Sequence, residues 1–320
     1  MFGYLVLIFL FLLVMMLASG VLMEVMEEWA EKVKKHKLLW SSVILGLVAA
    51  LPELALVIAG IVSQTPRLAL GAIIGANLAN LGVVIGVMSL MAGTIVVVGE
   101  FVAVNLWVSI TLGLLPLLAM IDGVLSRLDG ILLLFGYLVY LNFVIKAERH
   151  DLKQLRLAKR VFHKEKDLLP KSVSGMLIFI LSFTVLVISA VFLLKTTKVF
   201  GLLLETSDYW LGMVFMSLIL TLPEVLVAMS LKDKTQTLLT VEKVLGSVVT
   251  NSTLIIGVLA IVKPTVVEEN LSNSLAGIFL VLILGLFWLF TKSKKKLERW
   301  EGLVLFGVYL MFLGLQLLWG

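Results

Sequence analysis

Cysteine is absent from the chain, which excludes a disulfide framework and a thiolate metal site and leaves the redox compartment open. Histidine is nearly as scarce. His36, His150 and His163 all fall in polar stretches between apolar runs, and no His-Glu-x-x-His pattern or paired acidic motif occurs inside such a run. An intramembrane enzyme therefore lacks its usual equipment, and none is expected; no cofactor is implied either. Charge is thin as well: 15% of residues are Asp, Glu, Lys or Arg against 61% apolar, and the charges gather in clusters. Such a chain has little room for a separate soluble domain. Alternating segments of about ten residues, the mark of a transmembrane β-barrel, are also missing.

What is present in quantity is apolar helix-length sequence. A bilayer core takes roughly 20 apolar residues of helix, and stretches of that kind recur along the whole chain. They are expected near residues 3–23, 38–65, 68–93, 101–121, 128–146, 172–194, 209–231, 238–262, 271–291 and 302–319. The first, "YLVLIFLFLLVMMLASGVLM", lacks the charged start and short core of a signal peptide and reads as a transmembrane helix. The expected fold class is an all-α membrane protein with ten transmembrane helices.

One long polar stretch, "KAERHDLKQLRLAKRVFHKEKDLLPK", interrupts the pattern. It divides the chain into residues 1–147, a basic linker over 148–171, and residues 172–320, with five spans on each side. The linker has the composition of a short basic helix lying on the membrane surface, and is too short for a regulatory domain. Basic residues set the orientation, because positive loops resist translocation. Four lie between Lys32 and Lys37, nine between Lys146 and Lys171, two at Lys232 and Lys234, and five between Lys292 and Arg299. Only Arg67, Arg127, Lys195, Lys198 and Lys263 fall on the other side. The expectation is a multi-pass cell-membrane protein with its N-terminus outside and its central loop cytoplasmic. The net charge of +5 then belongs to loops facing an anionic leaflet, not to a nucleic-acid partner.

Five spans per half is an odd number, so related halves would enter the membrane from opposite sides, as an inverted repeat. They are related. An ungapped offset of 171 places Pro52 on Pro223, Glu53 on Glu224, Gly75 on Gly246, Asn80 on Asn251 and Gly86 on Gly257. Each half carries the tripeptide "LPE" within a long apolar run, at 51–53 and 222–224. Glu53 and Glu224 are the two acidic residues deep in spans. A carboxylate there is costly unless it meets a cation, a proton or a polar cavity, and no deep basic partner is expected. A protonated or paired glutamate that ties helices together is the plain alternative. Proline suits the first turn of a new half-helix and breaks the one before it, freeing carbonyls. An ordinary kink is the alternative for the prolines alone. Carbonyls and carboxylates together form a hard oxygen cage suited to Ca2+ or Na+. In the following span Ala76 and Asn80 share one helical face, and Ser247 and Asn251 take the same places in the other half. Asparagine carbonyls are neutral ligands for a hard cation, with an interhelical hydrogen bond as the alternative for each. Gly71, Gly75, Gly82, Gly86, Gly246 and Gly257 allow helices to approach closely.

This pattern resembles the cation/Ca2+ antiporter superfamily, and most closely its prokaryotic Na+/Ca2+ exchangers. The resemblance is sharpest over 46–86 and 217–257, which correspond to the two α-repeats. It implies a diamond of ligands in which Glu53 and Glu224 bind Ca2+ and Na+, with Asn80 and Asn251 at the middle and Ser247 and Thr221 as hydroxyl ligands. Asn77 matches a family asparagine without a clear ligand role. The chain departs from the pattern at Ala49, Ala50, Ala76 and Leu220, where hydroxyl residues are usual, and at Val248, where an Asn is usual. Asn251 stands where K+-dependent relatives have Asp, which argues against K+ coupling.

The function implied is a secondary antiporter exchanging Ca2+ for Na+ by alternating access, a mobile group of helices sliding against a fixed core. Its expected partners are Ca2+ and Na+ ions and the lipid bilayer, with a monomer allowed. The lost hydroxyls keep open a second coupling. Two buried glutamates gain proton affinity when no cation is bound, because burial disfavours the charged form, so H+ could replace Na+. A passive cation channel is a third class, to be distinguished by flux without a counter-ion. Glu242 and Lys243 lie about 13 Å along the helix from Asn251 and read as an interfacial pair near the cytoplasmic mouth, with a role in ion entry as the alternative.

Overall fold

The computed structural model describes residues 1–33, 50–97, 100–150, 175–231, 234–267, 271–294 and 296–319. Its helices follow the apolar runs. They are α1 (Phe2–Val33), α2 (Leu51–Val62), α3 (Pro66–Ala79, a π turn over Asn80–Val84, then Ile85–Ala92), α4 (Glu100–Gly113, resumed after Leu114 as Leu115–Ala119) and α5 (Arg127–His150). After the central polar stretch come α6 (Gly175–Leu203), α7 (Asp208–Leu211, a π turn over Gly212–Met216, then Ser217–Ser230), α8 (Lys234–Thr250, a π turn over Asn251–Ile255, then Ile256–Val262), α9 (Leu271–Lys294) and α10 (Arg299–Trp319). Among the described residues, seven helices are long and apolar enough to cross a bilayer, and Leu51–Val62 and Leu106–Ala119 are shorter apolar helices. The first part of the expected 38–65 span, Ala49 and the basic linker beyond His150 lie outside the described residues.

Burial sorts the helices into a core and a shell. The spans of α3 and α8 are 94% and 78% buried, against 28% for α6 and α10. Small residues explain why α3 is central. In lipid, helices associate by packing and not by the hydrophobic effect, so backbones that can touch are favoured. A Cβ added at Gly71 would meet the Tyr209 carbonyl oxygen, and one at Gly75 would lie 2.6 Å from Ser217 Cβ, so α3 crosses α7 backbone to backbone. Further along, Gly86 lies against α10 at Gly302, while Gly257 of α8 lies against α5 at Gly130. In the shell, α1 and α6 pack along one another. Phe11 stacks on Phe192 at 5.3 Å between ring centroids and Trp29 meets Phe179 at 5.2 Å. Leu13 and Leu17 of α1 and Ile180, Leu181 and Ile188 of α6 point outward, as a lipid-facing surface requires.

Four two-residue strands sit at chain reversals, an addition to the expected all-α class. They are β1 (Ile95–Val96), β2 (Val124–Leu125), β3 (Thr265–Val266) and β4 (Lys296–Leu297). β1 pairs antiparallel with β4 and β2 with β3, with Ile95 opposite Leu297 and Leu125 opposite Thr265. The two ladders are reciprocal: the segment after α3 pairs with the one before α10, and the segment after α8 pairs with the one before α5. α3 and α8 run in opposite directions. Lys263 Nζ, just past the end of α8, donates to Gln64 Oε1, just before the start of α3, at 2.7 Å, and β1 packs on the first part of α8.

Candidate functional site

Glu53 lies in the first turn of α2, with Pro52 as the second helical residue. Proline costs nothing there, since the first-turn N–H groups have no intrahelical acceptor. Pro223 behaves differently from expectation. It sits inside α7, which runs unbroken from Ser217 to Ser230, so there is no new half-helix at Glu224. Pro223 still removes the N–H that would close onto the Ile219 carbonyl. Nearby, the Thr221 hydroxyl bonds back to Ser217 O at 2.9 Å and Leu218 O at 3.1 Å, and a π turn over Gly212–Met216 precedes this part of the helix.

Asn80 and Asn251 each open a π turn, where the amide N–H of Ile85 bonds Asn80 O and that of Ile256 bonds Asn251 O. A π turn adds one residue to a helical turn and is frequent at functional sites. Here it falls at the same asparagine in both halves. The Asn80 turn packs on the part of α7 that carries Glu224, and the Asn251 turn packs on α2, which carries Glu53. The Glu53 carboxylate lies within electrostatic range of both Glu224 and Lys243. The structure thus brings both glutamates and both asparagines into one region.

Their oxygens are conspicuous for what they lack. Glu53 Oε2, Asn80 Oδ1 and Asn251 Oδ1 are enclosed and have no hydrogen-bond partner among the described residues. An unsatisfied buried polar group costs about 1–3 kcal/mol, and three acceptors without a donor form an environment that a cation would satisfy. Ser247 is buried beside them, its Oγ 3.5 Å from Asn251 Nδ2. Thr221 is buried, but its proton is committed to its own helix, which leaves only oxygen lone pairs for an ion. Ala50 and Ala76 place buried methyl groups where the resemblance led us to expect hydroxyls.

Two residues that the sequence reading set aside join the site. Asn77 accepts from Asn251 Nδ2 at 3.0 Å and donates to Ser252 Oγ at 3.0 Å, and Ser252 donates to the Gly113 carbonyl at 3.3 Å where α4 is interrupted. With its nitrogen committed to Asn77, Asn251 keeps its oxygen as the free end. The second is Lys243. Its Nζ lies 3.2 Å from Glu224 Oε1, which corrects the expectation that Glu224 has no basic partner. The signal was available: Lys243, Ser247 and Asn251 recur every four residues on one face of α8.

Comparison with known proteins agrees with this architecture. The family model for "Sodium/calcium exchanger protein" matches residues 3–146 and 174–318. An uncharacterized membrane protein of Methanocaldococcus jannaschii is 22% identical over 288 residues, 88% of this chain and 89% of that protein. Among solved structures, the H+/Ca2+ exchanger CAX superposes with a TM-score of 0.72 at 15% identity, covering 98% of this chain and 86% of the other. The sodium-calcium exchanger NCX_Mj, soaked with Na+ and Sr2+, superposes with a TM-score of 0.62 at 18% identity, covering 97% and 98%.

Proposed function

The chain belongs to the sodium/calcium exchanger protein family, and from that premise we propose that it is a secondary antiporter that exchanges Ca2+ for Na+ across a membrane. One observation carries the reading. Three enclosed acceptor oxygens, on Glu53, Asn80 and Asn251, have no donor among the described residues, and Glu224 lies within electrostatic range of Glu53. Donor-free oxygens on one carboxylate and two amides, with a second carboxylate, Glu224, held by Lys243 at 3.2 Å, suit a hard divalent cation. Glu53, Glu224, Asn80, Asn251 and Ser247 are its ligands in this reading, and Thr221 adds a lone pair. Ca2+ between two carboxylates leaves the site near neutral, while an empty site carries uncompensated charge through the bilayer, which favours exchange over leak.

The same reading arranges the chain as ten spans in two inverted halves. The reciprocal strand ladders, the opposed directions of α3 and α8, and a family match that falls in two segments on either side of the basic linker all support it. The excess of Lys and Arg on one set of loops supports an outside N-terminus and a cytoplasmic 148–171 linker.

A second coupling has its own observation. Methyl groups at Ala50 and Ala76 remove hydroxyl oxygens from the site, and a Na+ ion needs those more than a proton does. H+/Ca2+ exchange is the alternative on that ground. The deciding experiment is radioactive Ca2+ uptake into proteoliposomes under separately imposed Na+ and pH gradients. Uptake driven by Na+ alone upholds the first coupling and uptake driven by pH alone transfers it to protons. Flux without either gradient would make the protein a channel. Glu53→Gln and Glu224→Gln are each expected to lower uptake about 100-fold, or about 3 kcal/mol. Full uptake by both variants would remove the site assignment.

A further inference from the structure

We propose that Lys243 is a tethered cation of the transport site, one that neutralises Glu224 while no ion is bound and is displaced when Ca2+ enters. This rests on the reading of Glu53 and Glu224 as ion ligands and extends it to a residue that competes with the ion. The geometry comes first: Lys243 Nζ lies 3.2 Å from Glu224 Oε1. Lys243 also shares one face of α8 with Ser247 and Asn251, one helical turn of about 5.4 Å short of Ser247, so it reaches the site along its own ligand row.

Exposure makes the contact exchangeable. The Lys243 and Glu224 side chains are 42% and 24% exposed, so the ammonium is not sealed against the carboxylate and has room to swing away from it. The lysine has no counterpart in the first half. The equivalent position is Ala72, which is fully buried, and Glu53 keeps an oxygen without a donor. Charge then decides occupancy. Two carboxylates and one ammonium sum to a single negative charge, and Ca2+ added to that set would face the ammonium across one carboxylate, where like charges repel strongly. Ca2+ and the Lys243 ammonium therefore exclude each other at Glu224. The lysine takes the place of one monovalent ion on the return leg, in a site where Ala50 and Ala76 have already removed oxygens for such an ion.

The test is calorimetric Ca2+ binding to the purified full chain, comparing wild type with Lys243→Gln, Lys243→Arg and Glu224→Gln. Lys243→Gln should bind about tenfold more tightly, which corresponds to about 1.4 kcal/mol. Lys243→Arg should stay near wild type, and Glu224→Gln should lose binding. If Glu224→Gln loses binding while Lys243→Gln binds no more tightly than wild type, the lysine proposal is overturned and the site reading stands. If Glu224→Gln binds like wild type, the site reading is overturned and the lysine proposal with it. A second readout needs no variant: amine-reactive labelling of Lys243 in the wild-type protein, followed by mass spectrometry. Saturating Ca2+ should raise that labelling severalfold, and unchanged or lower labelling overturns the proposal.

Discussion

Asn77 shows how much of this site depends on a side chain that touches no ion in the proposed scheme. Asn251 is fully buried, and an amide can present either its oxygen or its nitrogen to a cavity. The 3.0 Å bond from Asn251 Nδ2 to Asn77 Oδ1 settles which. Replacing Asn77 by Leu leaves that buried donor without its partner, at about 1–3 kcal/mol, and frees the amide to turn its nitrogen toward the ion. Asn77→Leu is expected to weaken Ca2+ binding about tenfold. Ser252→Ala, which removes only the far end of the chain of bonds, should weaken it less. Calorimetry on the two variants measures the difference, and wild-type affinity in both would mean that Asn251 is held by Ser247 alone. The second half has Val248 at the position equivalent to Asn77, so Asn80 is oriented without this device and the two asparagines are not interchangeable.

At the scale of elements, the glycines divide into those that helix crossings require and those that they do not. A methyl group at Gly71 would run into the Tyr209 carbonyl, which belongs to backbone and cannot rotate away, whereas one at Gly246 would meet only Tyr140 Oη at 3.5 Å. Gly71→Ala is expected to destabilise the protein by about 1–3 kcal/mol or more through overpacking, and Gly246→Ala by little. Thermal unfolding followed by size-exclusion in detergent separates them, and a Gly71→Ala protein as stable as wild type would mean that α3 and α7 can part. Most of the apolar helices were legible in the sequence, because apolar run length survives any packing. Pro52 was legible too, since a first-turn proline needs no tertiary help. Pro223 was not: whether a helix passes through a proline depends on the packing around it, and here α7 continues unbroken from Ser217 to Ser230. The π turns at Asn80 and Asn251 left no trace, because one extra residue in a turn changes neither composition nor run length. The Lys243–Glu224 contact was missed because distance along the helix axis ignores the length of a lysine side chain, which bridges the gap.

At the scale of the whole molecule, the burial pattern says which parts can move. α3 and α8 are enclosed and joined to α7, α10 and α5 by glycine-lined crossings that leave no slack. α1 and α6 pack mainly on each other, α6 lies against α2 as well, and both leave large apolar side chains exposed. If alternating access moves a shell against this core, α1 and α6 move together, and α6 slides past α7, which it touches through Phe200 and Phe215 at 5.3 Å between ring centroids. The absence of native cysteine makes the test free of background. A Phe11→Cys, Phe192→Cys pair joined by a short bifunctional thiol reagent ties α1 to α6 and should leave Ca2+ exchange in proteoliposomes near the uncrosslinked level. A Phe200→Cys, Phe215→Cys pair joined in the same way ties α6 to the core and should stop exchange, with recovery when the link is cleaved. Both pairs remove rings from packed contacts, so each is compared with its own uncrosslinked form. Exchange that survives the second link would place the moving boundary elsewhere than between α6 and α7, and exchange lost on the first would show that α1 and α6 move separately.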